Sequence, residues 1–252
     1  MVNNSAKGGT KKGKFLDEHG ATVSYNWLAD FVYAGIDGAI SAFAVVAGVK
    51  GASLSPSIVL ILGFASLFAG GFSMAVGKYS SDKAKLEQYE RIRNVEFEHL
   101  KKRPSGEIKE VREIMAGYGF KGKDLDRATK VITSDPEKWV DLMMRNEFNM
   151  TKEHVTPWKG GGSTFLSYIL IGFIPLFGYV FGPALSLSVD KVFILACLST
   201  LVALFVVGAI KAKFTVRNWV LSGLETALLG GVAATIAYGI GYLLRGLSGG
   251  VI

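Results

Sequence analysis

Three groups of side chains in one polar stretch combine the donor types that hold transition metals. Glu96 and His99 stand three residues apart, Glu107, Glu110 and Glu113 repeat that interval, and Met143 and Glu147 stand four apart. On a helix, residues three or four apart share a face. Carboxylates with an imidazole and a thioether make a donor set of intermediate softness. Such a set suits Fe²⁺, Mn²⁺, Co²⁺ or Zn²⁺ better than Mg²⁺. Glu96, His99, Glu107, Glu110, Met143 and Glu147 are therefore the candidate metal ligands. The same spacing of acids also marks an ordinary solvated helix face, so spacing alone leaves a plain charged surface open.

A second kind of chemistry is carried by carboxylates inside apolar runs. Asp37 lies about ten residues into the first long apolar segment. A charged side chain at mid-bilayer costs about 2.5–3.5 kcal/mol on insertion scales and marks an ion pathway by default. Asp37 is expected to be buried. Asp30 is nearer the segment's end and reads as interfacial. Glu225, six residues into the last apolar segment, suits either a pathway carboxylate or a snorkelling one. Met74, in the second segment, has a functional meaning only if it faces Asp37. Asp37, Met74 and Glu225 are the candidate transport-path residues.

No catalytic constellation is present. There is no Gly-rich phosphate loop with its lysine and no HExxH pattern, and His19, His99 and His154 are scattered. The chain reads as a non-enzyme without a prosthetic group, and ATP-driven transport by it is not expected. The single cysteine, Cys197, excludes an intrachain disulfide and any Cys-only metal site.

The elements that must position these residues follow from composition. Of 252 residues, 50% are hydrophobic and only 19% charged, against about 25% in a soluble domain. Glycine is high at 31 and proline low at 6, a pairing that suits membrane helices packed through small residues. Residues 78–159 hold 33 of the chain's charges in 82 positions, and the other 170 positions hold 16. A spanning helix needs about 20 mostly apolar residues. Five segments qualify: 27–49, 57–77, 163–183 with a kink expected at Pro175, 191–210 and 219–244. The first is too long and too acidic for a cleavable signal peptide. The expected fold is an all-α membrane protein of five transmembrane helices, with a helical domain inserted between the second and third. Its divisions are a tail 1–26, helices one and two in 27–77, the polar domain 78–159, and helices three to five in 160–252.

The net charge of +7 would suggest nucleic acid in a soluble protein. Here the charge sorts by loop instead, and no nucleic-acid partner is expected. With the N-terminus in the cytosol, the inner short segments hold Lys7, Lys11, Lys12, Lys14, Lys211, Lys213 and Arg217, and the outer ones only Lys50, Lys191 and Arg245. Basic residues concentrate on the cytosolic side, so the C-terminus is expected outside and the polar domain in the cytosol. Within that domain the helices are expected at 78–101, 107–117, 124–133 and from Ser134-Asp135-Pro136-Glu137 to about 152. Pro104-Ser105-Gly106 reads as a turn, and Gly160-Gly161-Gly162 as a flexible joint.

With these features in place, the chain resembles the vacuolar iron transporter family. Asp37-Gly38 with Phe43-Ala44 and Ala47-Gly48 is similar to the family's DG…FAxxAG signature. Gly71, Ser73, Met74, Gly77 and Tyr79 are similar to its GxSMxxGxY signature. The polar domain, with Trp139-Val140-Asp141-Leu142-Met143-Met144, and Ser222-Gly223-Leu224-Glu225 also match. The resemblance implies a homodimer whose ion path lies at the dimer interface, with Fe²⁺, and Mn²⁺ as a further cargo, leaving the cytosol in exchange for protons. It implies that Asp37 and Met74 form the transmembrane ion site. It implies that Glu96, Glu107, Glu110, Met143 and Glu147 bind metal in the cytosol, with His99 where the family usually has Glu. Relatives commonly carry an acid one or two turns before the span-two Met. Ser66 and Gly70 stand there instead, which leaves Asp37 as the matched acid of the inner path. That substitution also keeps open a non-transporting membrane sensor or buffer of metal. A prokaryotic cell membrane and a vacuolar membrane suit the sequence equally.

Overall fold

The structure is a computed structural model that describes residues 27–152, 155–182, 184, 186–214 and 217–248. The expected tail 1–26, with its four lysines and His19, lies outside the described residues, as does His154. Among the described residues the chain is helical and has no strand. The helices are α1 (Trp27–Gly51), α2 (Pro56–Lys102), α3 (Pro104–Gly117), α4 (Gly122–Thr133), α5 (Pro136–Asn146), α6 (Pro157–Gly172), α7 (Ile174–Phe181), α8 (Val189–Lys211) and α9 (Trp219–Ser248). A short 3-10 turn, Ala212–Phe214, follows α8.

Four helices, α1, α2, α8 and α9, are long and apolar enough to cross a membrane. The pair α6 and α7 makes a fifth span if its two halves, bent by 49°, are taken together. The bend is the kink expected at Pro175. Proline lacks an N–H and its ring clashes with the carbonyl four residues earlier, so the helix breaks at Phe173 and restarts with Pro175 in the first turn of α7.

Helix α2 is 47 residues long without a break, or about 70 Å at 1.5 Å per residue. A hydrocarbon core is about 30 Å thick. The apolar first half suffices to span it, and the charged second half continues as a stalk. The stalk ends at Lys102 because Arg103 precedes a proline. That neighbour forces Arg103 out of the helical region, to φ −138°, and Pro104 then opens α3 at its first position. The turn expected over Pro104-Ser105-Gly106 is thus the first turn of α3, and the corner is Arg103 alone.

Helix α1 is the most enclosed of the long apolar helices. Glycines let its neighbours approach it. A Cβ on Gly38 would lie 2.5 Å from the Tyr168 carbonyl oxygen of α6, and one on Gly241 of α9 would lie 2.1 Å from the Gly48 carbonyl oxygen. The Ser167 hydroxyl adds a hydrogen bond to the Phe31 carbonyl. In lipid, where tails are as apolar as side chains, such close backbone contacts and interhelical hydrogen bonds hold a bundle together. The Gly160-Gly161-Gly162 run follows the same logic and corrects the expectation of a joint. It lies inside α6, where a Cβ on Gly161 would meet the Ala75 carbonyl oxygen of α2 at 2.9 Å.

The polar block has its own core. Val111, Met115, Leu125, Trp139 and Met143 pack α3, α4 and α5 together. Tyr89, Val140 and Met144 fasten α5 to the stalk. Asp135 caps α5 as expected, accepting from the Glu137 amide at 3.1 Å. That helix ends at Asn146 and not near 152; Glu147 is its capping residue.

Candidate metal-binding site and membrane path

Glu96 and His99 sit on the last turns of the stalk, Glu107 and Glu110 on α3, and Met143 and Glu147 at the end of α5. The fold brings these three groups together. Glu96 is only 1% exposed and Glu107 is also buried. His99 Nδ1 lies 3.4 Å from Glu96 Oε1 and 4.0 Å from Glu107 Oε1, so one imidazole bridges two helices. Glu110, Glu113, Ile114, Met143, Asn146 and Glu147 line an adjoining cleft of about 280 Å³. Met143 belongs both to this cleft and to the apolar core beneath it.

The carboxylates of the cluster are only partly compensated, by His99 and, at Glu107, by Arg103. Burial raises the Glu96 carboxyl above the ordinary glutamate range, and the nearby Glu147 and Glu107 raise it further, with His99 opposing. Burial and Glu110 do the same to Glu107. Burial, Glu110 and Glu107 raise Glu147. Glu96 Oε2 and Glu107 Oε2 are buried without a hydrogen-bond partner. A buried polar oxygen left unpaired is costly, and carboxylates near one another resist ionising together. A cation would relieve both penalties. Among the described residues no three His, Cys, Asp or Glu groups close around a single point. The candidate residues are thus gathered from three helices without closing around one point.

The membrane candidates are placed differently. Asp37 lies on the outward face of α1, exposed in the single chain together with Tyr33 one turn earlier. Helices α6, α9 and α2 pack on α1, and among the described residues of one chain Asp37 stays exposed. Met74 packs against the bundle core. Glu225 is exposed and pairs with Arg217 at 2.8 Å. It makes no hydrogen bond or ion pair with Asp37 among the described residues. Ser66 is half-buried, and Gly70 lies under the Tyr168 hydroxyl, where a Cβ would come within 2.4 Å of the oxygen. Tyr168, itself buried, thus occupies the space beside Gly70.

Two residues escaped the sequence reading. Lys78, on α2 beyond Met74, reaches Asp30 at 3.2 Å and Asp82 at 2.8 Å. Asp82 is buried, with Oδ2 unpartnered. In the sequence it makes one i,i+4 pair with Lys78 among several in a charged run, and nothing there marks it as buried.

The profile of the VIT family matches residues 28–242 of the chain. The chain belongs to the VIT family. Vacuolar iron transporter 1 of Arabidopsis thaliana is 36% identical over 214 residues, covering 84% of this chain and 83% of that protein. The vacuolar iron transporter of Toxoplasma gondii is 33% identical over 236 residues, covering 90% and 78%. Vacuolar iron transporter 1 of Eucalyptus grandis is 32% identical over 238 residues, covering 92% and 93%. This VIT-family chain, with its apolar helices, is an integral membrane protein.

Proposed function

We propose that the chain carries a divalent transition-metal ion across a membrane, with Fe²⁺ as cargo, and Mn²⁺ as a further one. The relatives above are named iron transporters. The observation that carries the reading is a division of labour. A cluster of half-satisfied carboxylates around Glu96 and Glu107 lies near the end of a long stalk, and a further carboxylate, Asp37, lies midway along the membrane helix α1.

In this reading the polar domain faces the cytosol and collects metal on Glu96, His99, Glu107, Glu110, Met143 and Glu147. The ion then meets Asp37, where metal and proton compete for one carboxylate, and export from the cytosol is coupled to proton entry. The Met74 thioether adds a soft donor that discriminates against Mg²⁺ and Ca²⁺. Two copies of the chain pair across the outward face of α1, so that Asp37 lines a path rather than facing lipid. Glu225, held by Arg217, is a further carboxylate of the path. The Lys50–Asp190 ion pair, 2.6 Å, joins the end of α1 to the start of α8 and supports placing both on the outer side. The membrane is vacuolar, as the relatives' names suggest.

One observation favours a second reading, a sensor or buffer that binds metal without moving it. Ser66 and Gly70 offer no carboxylate in span two, and a Cβ at Gly70 would press on the Tyr168 hydroxyl. Flux in proteoliposomes separates the two. Fe²⁺ uptake that rises with an opposing proton gradient supports transport. Metal binding without flux supports the buffer. The Glu107→Ala, Glu110→Ala, Glu147→Ala triple variant is expected to lose more than tenfold in metal affinity by calorimetry. Undiminished binding would place the collecting site elsewhere.

A further inference from the structure

We propose that the cleft between the end of α8 and the start of α9 binds an anionic phospholipid, with the phosphate on Lys213 and Arg217 and an acyl chain against Phe205, Ile210 and Trp219. The inference does not depend on the transport reading. It needs only the membrane setting that the apolar helices and the family give.

The cleft holds about 640 Å³ and has two kinds of wall. Phe205, Val206 and Ile210, from the last turns of α8, form the apolar wall with Trp219, the first residue of α9. Lys213 and Arg217 form the charged edge. Trp219 stands edge-on to Phe205, with ring centroids 6.3 Å apart, and is still 58% exposed. That contact orients the indole while leaving more than half of it uncovered.

The cleft lies where two spanning helices give way to a polar turn. Lys211 is the last residue of α8 and Trp219 the first of α9, and both helices are apolar enough to cross a membrane. This is the depth of the lipid headgroups, where tryptophan is enriched because its ring has an apolar body and a polar N–H. A phospholipid presents a charged head and an apolar chain in the same order as the charged edge and the apolar wall.

Charge decides the kind of lipid. Residues 205–224 contain three basic side chains, Lys211, Lys213 and Arg217, and no acid. Glu225 follows and accepts a hydrogen bond from Arg217 Nη1 at 2.8 Å. A guanidinium carries five N–H donors in a fork that matches phosphate, so one bond to Glu225 leaves donors for a phosphate. Lys213 is exposed and makes no ion pair among the described residues. A phosphocholine head brings its own cation, which Lys213 and Arg217 repel. A head with net negative charge brings attraction alone, and basic pockets between membrane helices hold such heads.

The test is tryptophan quenching in vesicles by lipids brominated near the top of the acyl chain. Trp27→Phe with Trp158→Phe leaves Trp219 as the indole at the membrane, since Trp139 is buried in the core of the polar block. The full chain so altered, in phosphatidylcholine vesicles, is expected to be half-quenched by brominated phosphatidylglycerol at about threefold lower mole fraction than by brominated phosphatidylcholine. Lys213→Gln with Arg217→Gln is expected to erase that preference. Lys213→Gln alone leaves Arg217 on Glu225 and serves if the double variant does not fold; it is expected to bring the preference below about twofold. Ala209→Phe fills the cleft from α8 with both cations in place, and is expected to lower the preference as well. A general attraction of the basic turn to an anionic surface would not respond to Ala209→Phe. Equal quenching by the two lipids would overturn the site, and so would a preference that survives the loss of Lys213 or the filling of the cleft.

Discussion

At the scale of single residues, the cluster links pH, metal and stability. The Glu96, Glu107 and Glu147 carboxyls are held above the ordinary glutamate value of 4.5, chiefly by burial and then by one another. A raised folded-state value means that the protonated form is favoured by folding. The contribution to stability is therefore full below 4.5 and is lost as pH rises through the raised values. Without metal, the polar block is expected to melt at a lower temperature at neutral pH than at mildly acid pH. Bound Mn²⁺ or Fe²⁺ reverses that trend, because it favours the carboxylate. Glu96→Gln is expected to raise the metal-free melting temperature at neutral pH while weakening metal binding. Melting curves with and without metal across that range check both, and a metal-free melt insensitive to Glu96→Gln would refute the account. Asp37 works through a different balance. Asp37→Asn keeps shape and removes charge, so flux in liposomes is expected to vanish while calorimetry still detects metal on the polar block. Flux near that of the unaltered chain would take the path away from Asp37.

At the scale of elements, glycines decide how closely helices approach and therefore where Asp37 sits. Gly38 follows Asp37 directly and lies against the Tyr168 backbone. A backbone carbonyl cannot rotate aside as a side-chain tip can. Gly38→Val is therefore expected to force α1 and α6 apart, at about 1–3 kcal/mol, the usual range for overpacking. It should also displace Asp37. Gly77 gives the contrast, since a Cβ there meets nothing within 4 Å. Gly77→Ala is expected to fold as well as the parent, or to gain about 0.5–1 kcal/mol from reduced chain entropy. Thermal unfolding in detergent distinguishes them, and equal stability of the two variants would show that the close approach at Gly38 does not limit packing. Gly77 matches a family signature, yet no contact among the described residues of one chain requires it.

At the scale of the whole molecule, the outward face of α1 is the feature that one chain leaves unexplained. Tyr33 and Asp37 are exposed there, and Phe68, Phe72 and Val76 are exposed on α2. A carboxylate facing lipid is costly, and a second copy packed on this face would remove it from lipid. In a two-fold contact the residues close to the axis lie near their own copies. In a chain with Cys197→Ala, Tyr33→Cys is expected to cross-link into a dimer under mild oxidation. Leu198→Cys, exposed on α8, is expected to stay monomeric. Cross-linking at Leu198 but not at Tyr33 would move the interface to the far side of the bundle.

The apolar runs, the charged block and the proline positions are local properties, and they were legible in the residues. Hydropathy sets which helices suit a membrane, Pro175 sets the bend, and Asp135-Pro136 sets the start of α5, because each acts within a turn or two of itself. The metal candidates were legible as three spaced groups, but only the fold shows that they share one cluster, since α3 and α5 return to the stalk across some fifty residues of chain. Glycine roles were misread at Gly160-Gly161-Gly162 for the same reason: a glycine run specifies a loop or a close helix contact equally well until a neighbour is known. Asp82 and Lys78 were invisible as a pair of note, since charge alone does not reveal burial. Tertiary packing alone decided which carboxylates lost their water, and the loss of water is what turns a charged side chain into a site for an ion.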